Sequence, residues 1–189
     1  IPNLGCIGYH PAKLPQNRGR HPIIWSLVLG LKDTGSTFFF LNEDADSGNI
    51  VSQKVIKIFD NDDANTLYNK ICETAKMQLE EFILSLKNNT LKTIIQDDSS
   101  SNIWRKRSSS DGLIDWRMAA VTINNLIRGL TKPYIGAHFI YQNQNIKIWK
   151  AKIIKNQASN IEPGKVIHSD RKSSIIKTGI DAIEIIEME

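Results

Sequence analysis

A long apolar stripe with the period of an α-helix is the feature that most constrains the fold of this chain. Six apolar residues recur at spacings of four and three, which predicts one amphipathic helix with a single core-facing side. The acidic segment 60–63 supplies N-caps for this helix, and Asn88-Asn89 ends it. The stripe consists of Leu67, Ile71, Ala75, Leu79, Phe82 and Leu86.

Segments with strand character precede this helix. Residues 4–9, 37–41 and 50–59 combine β-branched, aromatic and apolar residues in the manner of strands. A short helix is expected over 23–31, because Pro22 stands at a position where helices tolerate proline. This mixture of strands and helices is typical of an α/β domain.

The pattern changes after Pro133. A helix over 119–130 is followed by five short strand-like segments divided by turns, which indicates a small all-β appendage. We therefore predict an α/β domain over 1–118 and a helix plus a small β-rich subdomain over 119–189. The five predicted strands are 137–141, 146–154, 165–168, 174–177 and 182–187.

The composition allows a full hydrophobic core, since 41% of the 189 residues are hydrophobic. The longest apolar stretch, 23–29, is too short to span a membrane, and the start of the chain lacks the basic region of a secretory signal. Cys6 and Cys72 suit neither a disulfide framework nor a metal site, so both are predicted to be small core residues. A reducing cytoplasm is the expected location.

The net charge of +4 favours a phosphorylated or polyanionic partner only weakly. The chain has no long basic run of the kind that follows a nucleic-acid backbone. The segment Trp-Arg-Lys-Arg at 104–107 fits either a phosphate contact or an ordinary solvated charged segment. The four histidines lack metal-ligand spacing, so no metal site is predicted.

Two polar residues, His10 and Asp46, stand in loops that follow strand-like stretches. Histidine is the most frequent general acid or base in enzymes, and a carboxylate can orient it or stabilise its charge. Each residue also has an ordinary explanation, because a histidine can cap a turn and an aspartate before Ser47-Gly48 is a common turn residue. Position alone leaves both interpretations open.

Five segments together resemble the formyltransferases that use 10-formyltetrahydrofolate. His10-Pro-Ala-Lys-Leu-Pro-Gln-Asn-Arg-Gly is similar to the family's His-x-Ser-x-Leu-Pro-x-Tyr-Arg-Gly, and Asp44-Ala-Asp46-Ser-Gly48 is similar to its Asp-x-Gly loop. The separation of His10 and Asp46, 36 residues, matches that of the family's catalytic histidine and aspartate. The other matching segments are 111–116 (Asp-Gly-Leu-Ile-Asp-Trp), 127–137 and 146–151.

The resemblance covers essentially the whole chain and implies the fold. We expect a Rossmann-like formyltransferase core, whose first βαβ half with the strands before Leu4 is not in this chain, followed by a small OB-like β subdomain. Methionyl-tRNA formyltransferase and the sugar N-formyltransferases share this plan. The stretch Arg-Gly-Arg-His-Pro at 18–22 and the compact C-terminal part are more similar to the sugar enzymes.

The resemblance also implies an activity. The expected reaction transfers a formyl group from 10-formyltetrahydrofolate to the amine of a nucleotide-linked amino sugar, in the synthesis of a surface polysaccharide such as the lipopolysaccharide O-antigen. Methionyl-tRNA as the acceptor is one alternative, and a relative that binds folate or nucleotide without turnover is another. A homodimer, common among the sugar enzymes, is compatible with the sequence.

The implied catalytic residues are His10 and Asp46. The family usually has an asparagine two residues before the histidine, where it helps to polarise the formyl oxygen, but this chain has Gly8. Asn17, where the family often has tyrosine, is the candidate replacement donor. The implied folate contacts are Leu14, Pro15, Leu41, Asn42, Glu43 and Asp44. The implied contacts to the acceptor's pyrophosphate and base are Arg18, Trp104, Lys132 and Tyr134.

Overall fold

A computed structural model describes residue 2 and residues 5–156 and 158–189, and it divides the chain into two compact units. Both units contain strands and helices, so the predicted α/β character is confirmed. The first unit comprises Ile1–Ser26, Leu31–Asp62 and Thr66–Arg107, and the second comprises Leu27–Gly30, Asp63–Asn65 and Ser108–Glu189.

A three-stranded antiparallel sheet forms the centre of the first unit. Its strands are β1 (Ile7–His10), β3 (Asp33–Phe40) and β4 (Ile50–Lys57), and β3 lies in the middle. β1 and β3 are in a register that sets His10 opposite Thr37. The first strand was predicted over 4–9, of which Leu4 lies outside the described residues.

The central strand β3 begins earlier than the predicted strand 37–41. Its first half is polar, yet every residue from Thr34 to Phe39 is buried, because β3 is covered on both faces. The buried hydroxyls of Thr34, Ser36 and Thr37 all take part in hydrogen bonds, which offset the free-energy cost of removing these groups from water. A strand of this kind lacks the polar–apolar alternation that identifies half-buried strands.

The predicted helix 23–31 is observed as α1 (Pro22–Val28). Two further strands, β2 (Arg18–Gly19) and β5 (Ile103–Trp104), pair in parallel and were not predicted from the sequence. Two residues are too few to produce a periodic hydrophobic pattern. This short pair ties the loop after β1 to a segment far along the chain.

The long amphipathic helix is confirmed as α2 (Ala64–Lys87). Leu67, Ile71 and Phe82 are buried as predicted, but Leu79 is 43% exposed, and the neighbouring Gln78 is completely buried in its place. The prediction of Leu79 as a core residue was therefore wrong. Polar groups on the sheet explain the exchange, because they bind the Gln78 carboxamide.

Gln78 attaches α2 to the sheet through three hydrogen bonds. Its Nε2 donates to the carbonyl of Ser36 at 3.1 Å and to Oγ of Ser52 at 2.8 Å. Its Oε1 accepts from Oγ of Ser36 at 2.5 Å, and the Tyr9 hydroxyl lies 2.8 Å from the same oxygen of Ser36. Every polar atom of the Gln78 carboxamide is thus satisfied by the sheet.

The prediction that Cys6 and Cys72 are core residues was wrong. Both are free thiols on exposed residues. Cys72 lies on α2 directly after the buried Ile71, so the helical period turns it away from the core-facing side. Its apolar character in the sequence therefore did not indicate burial.

The second unit contains α3 (Ala120–Leu130) and a five-stranded antiparallel sheet, which confirms the predicted C-terminal β subdomain. The strand order is β6-β7-β10-β9-β8. The strands are β6 (Ala137–Tyr141), β7 (Gln144–Ile154), β8 (Val166–Ser169), β9 (Ser174–Lys177) and β10 (Ala182–Met188).

The two units are divided between Arg107 and Ser108, whereas the predicted boundary follows residue 118. Residues 108–118 group with the second unit because the Ile114 amide donates to the carbonyl of His138 at 2.7 Å. Within the residues described, no helix is long and apolar enough to cross a membrane.

The contrast between Gln78 and Leu79 can be tested by unfolding. We expect Gln78→Ala to lower the free energy of unfolding by about 2–4 kcal/mol, because it leaves a cavity and removes the partner of the buried Ser36 hydroxyl and of the half-buried Ser52 hydroxyl. Leu79→Ala is the matched control and should cost less than about 1 kcal/mol. Urea titration followed by circular dichroism measures both; a larger loss for Leu79→Ala would contradict this assignment.

Candidate functional site

His10 is the last residue of β1 and is only 5% exposed. Because side chains alternate along a strand, His10 and Gly8 share one face of β1, and Tyr9 points to the opposite face. Burial and the Cys72 thiol raise the pKa of the Tyr9 hydroxyl, and its hydrogen bond to Ser36 partly offsets the rise. Tyr9 thus belongs to the packing under α2, and only the other face of β1 presents His10.

The two ring nitrogens of His10 have different partners. Nε2 lies 2.7 Å from the carbonyl oxygen of Asn17. A carbonyl can only accept, so Nε2 carries a proton and donates it, and in the neutral ring Nδ1 is left with its lone pair. Nδ1 lies 3.5 Å from Oδ2 of Asp46. The loop carbonyl therefore selects the tautomer, and the carboxylate faces the basic nitrogen.

Asp46 is held in the left-handed backbone region, with φ of +56°. Oδ2 also accepts a hydrogen bond from the backbone N–H of Gly19 at 2.8 Å. Close to it, a side chain at Gly48 would begin only 1.7 Å from the carbonyl oxygen of Phe40, so this loop requires glycine there. The tight loop after β3 directs the carboxylate towards β1 and β2.

The loop after His10 is fixed to the sheet by its carbonyl groups. Thr34 donates to the carbonyl of Pro11 at 3.2 Å, and Thr37 donates to that of Ala12 at 2.6 Å. The carboxamide of Gln53 donates to the carbonyl of Leu14 at 2.9 Å and to the Thr37 hydroxyl at 3.0 Å. These bonds lay the loop across the centre of the sheet, directly after the histidine.

An ion pair adds to this anchoring. Nζ of Lys13 lies 3.0 Å from Oδ1 of Asp33 at the start of β3. The hydrogen bond from Lys13 lowers the pKa of the Asp33 carboxyl below its usual value, with a smaller contribution from Lys57 and some opposition from burial. The pair is partly exposed, so its contribution to stability is small.

The residues predicted to contact folate lie around these two loops. Leu14 is 3% exposed and joins the core cluster with Phe39 and Ile50, so its side chain packs inward. Leu41, directly after β3, is 55% exposed. Pro15 is half-buried, and Asn42, Glu43 and Asp44 are exposed. Their assignment as folate contacts stays a prediction.

The residues predicted to contact the acceptor fall in both units. Arg18 is buried in the first unit, and the half-buried Trp104 ring lies 6.3 Å from that of Trp25. Lys132 belongs to the second unit, where its ammonium lies 5.0 Å from the Trp149 ring centre. Tyr134 follows in the same unit. Their roles in binding stay predictions.

Three groups next to His10 and Asp46 were not predicted from the sequence. The Asn17 carbonyl and the Gly19 amide are backbone groups, which every residue possesses, so no sequence signal could identify them. Gln96, whose amide binds the carbonyls of Asp46 and Gly48, lies in the polar, serine-rich segment 96–101, which has no hydrophobic periodicity to mark it. Within the part of the chain that the structure describes, no cluster of His, Cys, Asp and Glu could hold a metal ion.

Comparison with known proteins identifies the class. The model of the family "Formyl transferase" matches residues 1–83, and that of "Formyl transferase, C-terminal domain" matches residues 106–189. The fold and the matches at both ends of the chain agree, and this chain belongs to the formyltransferase family, with the fold that was predicted for it.

Individual relatives carry different names. The methionyl-tRNA formyltransferase of Caldanaerobacter subterraneus subsp. tengcongensis is 35% identical over 189 residues, which are all of this chain and 60% of that protein. The bifunctional polymyxin resistance protein ArnA of Wigglesworthia glossinidia brevipalpis is 40% identical over 153 residues, 81% of this chain and 23% of that protein. The chain thus spans less than two thirds of the length of each of these relatives.

A solved structure shares the fold. The N-formyltransferase from Helicobacter canadensis, in complex with folinic acid and dTDP-3-aminofucose, superimposes with a TM-score of 0.75. Its sequence identity is 21%, and the match covers 97% of this chain and 66% of that chain.

The anchoring of the loop after His10 can be tested by removing one hydroxyl. We expect Thr37→Val to lower the free energy of unfolding by about 1–3 kcal/mol, because the Ala12 carbonyl and the Gln53 amide each lose a partner. Thr122→Val, on the exposed surface of α3, is the matched control and should change it by less than about 0.5 kcal/mol. Equal effects of the two substitutions in urea titration would exclude the proposed anchoring.

Proposed function

We propose that this protein transfers a formyl group from 10-formyltetrahydrofolate to the amine of a nucleotide-linked amino sugar. The observation that carries the proposal is the arrangement of His10 and Asp46, 3.5 Å apart, in a chain that belongs to the formyltransferase family. The buried ring has one nitrogen occupied by a carbonyl and the other next to a carboxylate. That arrangement suits proton transfer at a single defined nitrogen.

His10 acts as the general base in this reaction. The acceptor amine attacks the formyl carbon and gives a proton to Nδ1, because Nε2 is already protonated and bound to the Asn17 carbonyl. The ring becomes an imidazolium, which the Asp46 carboxylate stabilises from 3.5 Å. The bond from carbon to the folate nitrogen then breaks, and the imidazolium returns its proton to that nitrogen.

The tetrahedral intermediate carries a negative oxygen that needs hydrogen-bond donors. Gly8 supplies no side chain for this purpose, although it lies on the same face of β1 as His10. We propose Asn17 as the donor, because its carboxamide makes no hydrogen bond to any residue described and its backbone already touches the His10 ring.

The folate would lie along the loop 41–46. The exposed Leu41 supplies an apolar surface, and the backbone groups of Asn42, Glu43 and Asp44 supply polar contacts for the pterin. The hydroxyl of Ser47 donates to Oδ1 of Asn42 at 2.8 Å and to the carbonyl of Asp44 at 3.0 Å, so the loop is ordered by its own hydrogen bonds. Such preorganisation lowers the entropic cost of binding.

The names of the relatives point to two different acceptors. The complex of the Helicobacter canadensis protein with dTDP-3-aminofucose supports a nucleotide-linked amino sugar. The name of the Caldanaerobacter relative supports methionyl-tRNA as a second candidate. The net charge of only +4 favours the sugar, since tRNA binding depends on neutralising many phosphates. A product sugar would enter a surface polysaccharide.

A direct assay separates the candidates. The full-length protein is incubated with 10-formyltetrahydrofolate and either a panel of nucleotide-linked amino sugars or methionyl-tRNA, and the products are identified by mass spectrometry. We expect an N-formylated sugar, with a KM that responds weakly to salt because the acceptor has two phosphates. Formylation of the tRNA alone, weakening steeply with salt, would support the second candidate. Folate or nucleotide binding without any product would identify a non-catalytic relative.

The roles of His10 and Asp46 predict the behaviour of two conservative variants. We expect His10→Gln and Asp46→Asn each to lower kcat by about 10²–10⁴-fold, because each removes a group that handles or stabilises the transferred proton. The melting temperature should change little for Asp46→Asn, since the asparagine oxygen can still accept from Gly19. Rates close to wild type in either variant would refute the assignment.

A further inference from the structure

The guanidinium of Arg18 points into the protein. Only 8% of its side chain is exposed, and its Nε and Nη2 donate to Oε1 of Gln96 at 3.3 and 2.8 Å. Nη2 also donates to Oδ1 of the exposed Asp98 at 2.7 Å. A guanidinium with these protein partners is poorly placed to bind a ligand. The structure therefore favours a role for Arg18 in holding the neighbouring side chains.

Gln96 links Arg18 to the Asp46 loop through hydrogen bonds. Gln96 is 8% exposed, and its Nε2 donates to the carbonyl of Asp46 at 2.9 Å and to that of Gly48 at 2.7 Å. The orientation of the carboxamide is fixed, because Arg18 can only donate and the two carbonyls can only accept. The positive charge on the oxygen side also polarises the amide, which strengthens its two donated bonds.

These contacts hold both the side chain and the backbone of Asp46. The Gly19 amide, next to Arg18 in β2, donates to the carboxylate, while Gln96 binds the backbone of the same residue. A left-handed conformation is unfavourable for an aspartate, and surrounding contacts have to maintain it. Among the residues that the structure describes, Gln96 makes the hydrogen bond that reaches the backbone carbonyl of Asp46 from outside the loop 41–48.

We propose that Arg18 and Gln96 are positioning residues that hold the Asp46 carboxylate against Nδ1 of His10. Neither residue touches substrate; both act through Asp46. The consequence for turnover rests on the proposed formyl transfer, whereas the effect on the position of Asp46 does not. The segment after α2 thereby acquires a function, because its Gln96 binds the backbone of the Asp46 loop.

Gln96→Glu is the most informative variant. The glutamate keeps the size of the side chain and gains an ion pair with Arg18, but it places a carboxylate oxygen against the carbonyls of Asp46 and Gly48. We expect kcat to fall by about tenfold to a hundredfold with little change in KM, because the Asp46 carboxylate moves away from His10. Gln144→Glu makes the same chemical change at the exposed first residue of β7 and should leave kcat unchanged.

A double-mutant cycle distinguishes positioning from general damage. In an Asp46→Asn background the carboxylate is already lost, so Gln96→Glu should have almost no additional effect on kcat. An equal loss of kcat in both backgrounds, or wild-type kcat in Gln96→Glu, would overturn the proposal. Arg18→Lys cannot reproduce the paired contact to Gln96 and should also lower kcat.

A measurement without substrate tests the position of Asp46 directly. The Gly19 amide proton donates to the Asp46 carboxylate, and its NMR resonance should move upfield in Gln96→Glu and stay in place in Gln144→Glu. An unmoved Gly19 resonance in Gln96→Glu would refute the positioning role. If the wild-type protein transfers no formyl group but the resonance moves, the proposed function fails and the positioning role stands.

Discussion

The double-sided burial of β3 is the constraint on which the rest of the first unit depends. Gly35, Thr37 and Phe39 face the loop that follows His10, and Ser36 and Phe38 face α2. On each side a small hydroxyl makes the attachment, Thr37 to the Ala12 carbonyl and Ser36 to Gln78. A buried hydroxyl without a partner is costly, so these bonds select one register for the loop and one rotation for the helix.

The sequence predicted those elements whose patterns arise locally. α2 and the strands β6 and β9 were recognised because hydrophobic period and turn residues mark them within a short window. The exchange of Leu79 for Gln78 in the core could not be predicted, since it depends on hydroxyl groups supplied by Ser36 and Ser52. The pairing of β2 with β5 likewise depends on contacts between distant segments.

The site was predicted in part for the same reason. His10 and Asp46 were selected by motifs, and the structure brings their side chains to within 3.5 Å. The groups that orient them are the carbonyl of Asn17, the amide of Gly19 and the side chain of Gln96, none of which has a distinctive chemical type. Arg18 was predicted to contact the acceptor's pyrophosphate or base, but the direction of its side chain depends on the fold. Charge indicates that a residue needs a partner, not which partner it finds.

The parallel pairing of β2 with β5 has a consequence for the order in which the protein folds. Arg18 and Gln96 are 78 residues apart in the chain, and the whole of α2 lies between them. Closing so long a loop costs entropy before any contact is gained, so the contact forms after the sheet and helix have brought its ends together. During synthesis, the backbone carbonyl of Asp46 therefore lacks its Gln96 partner until the segment beyond α2 has left the ribosome.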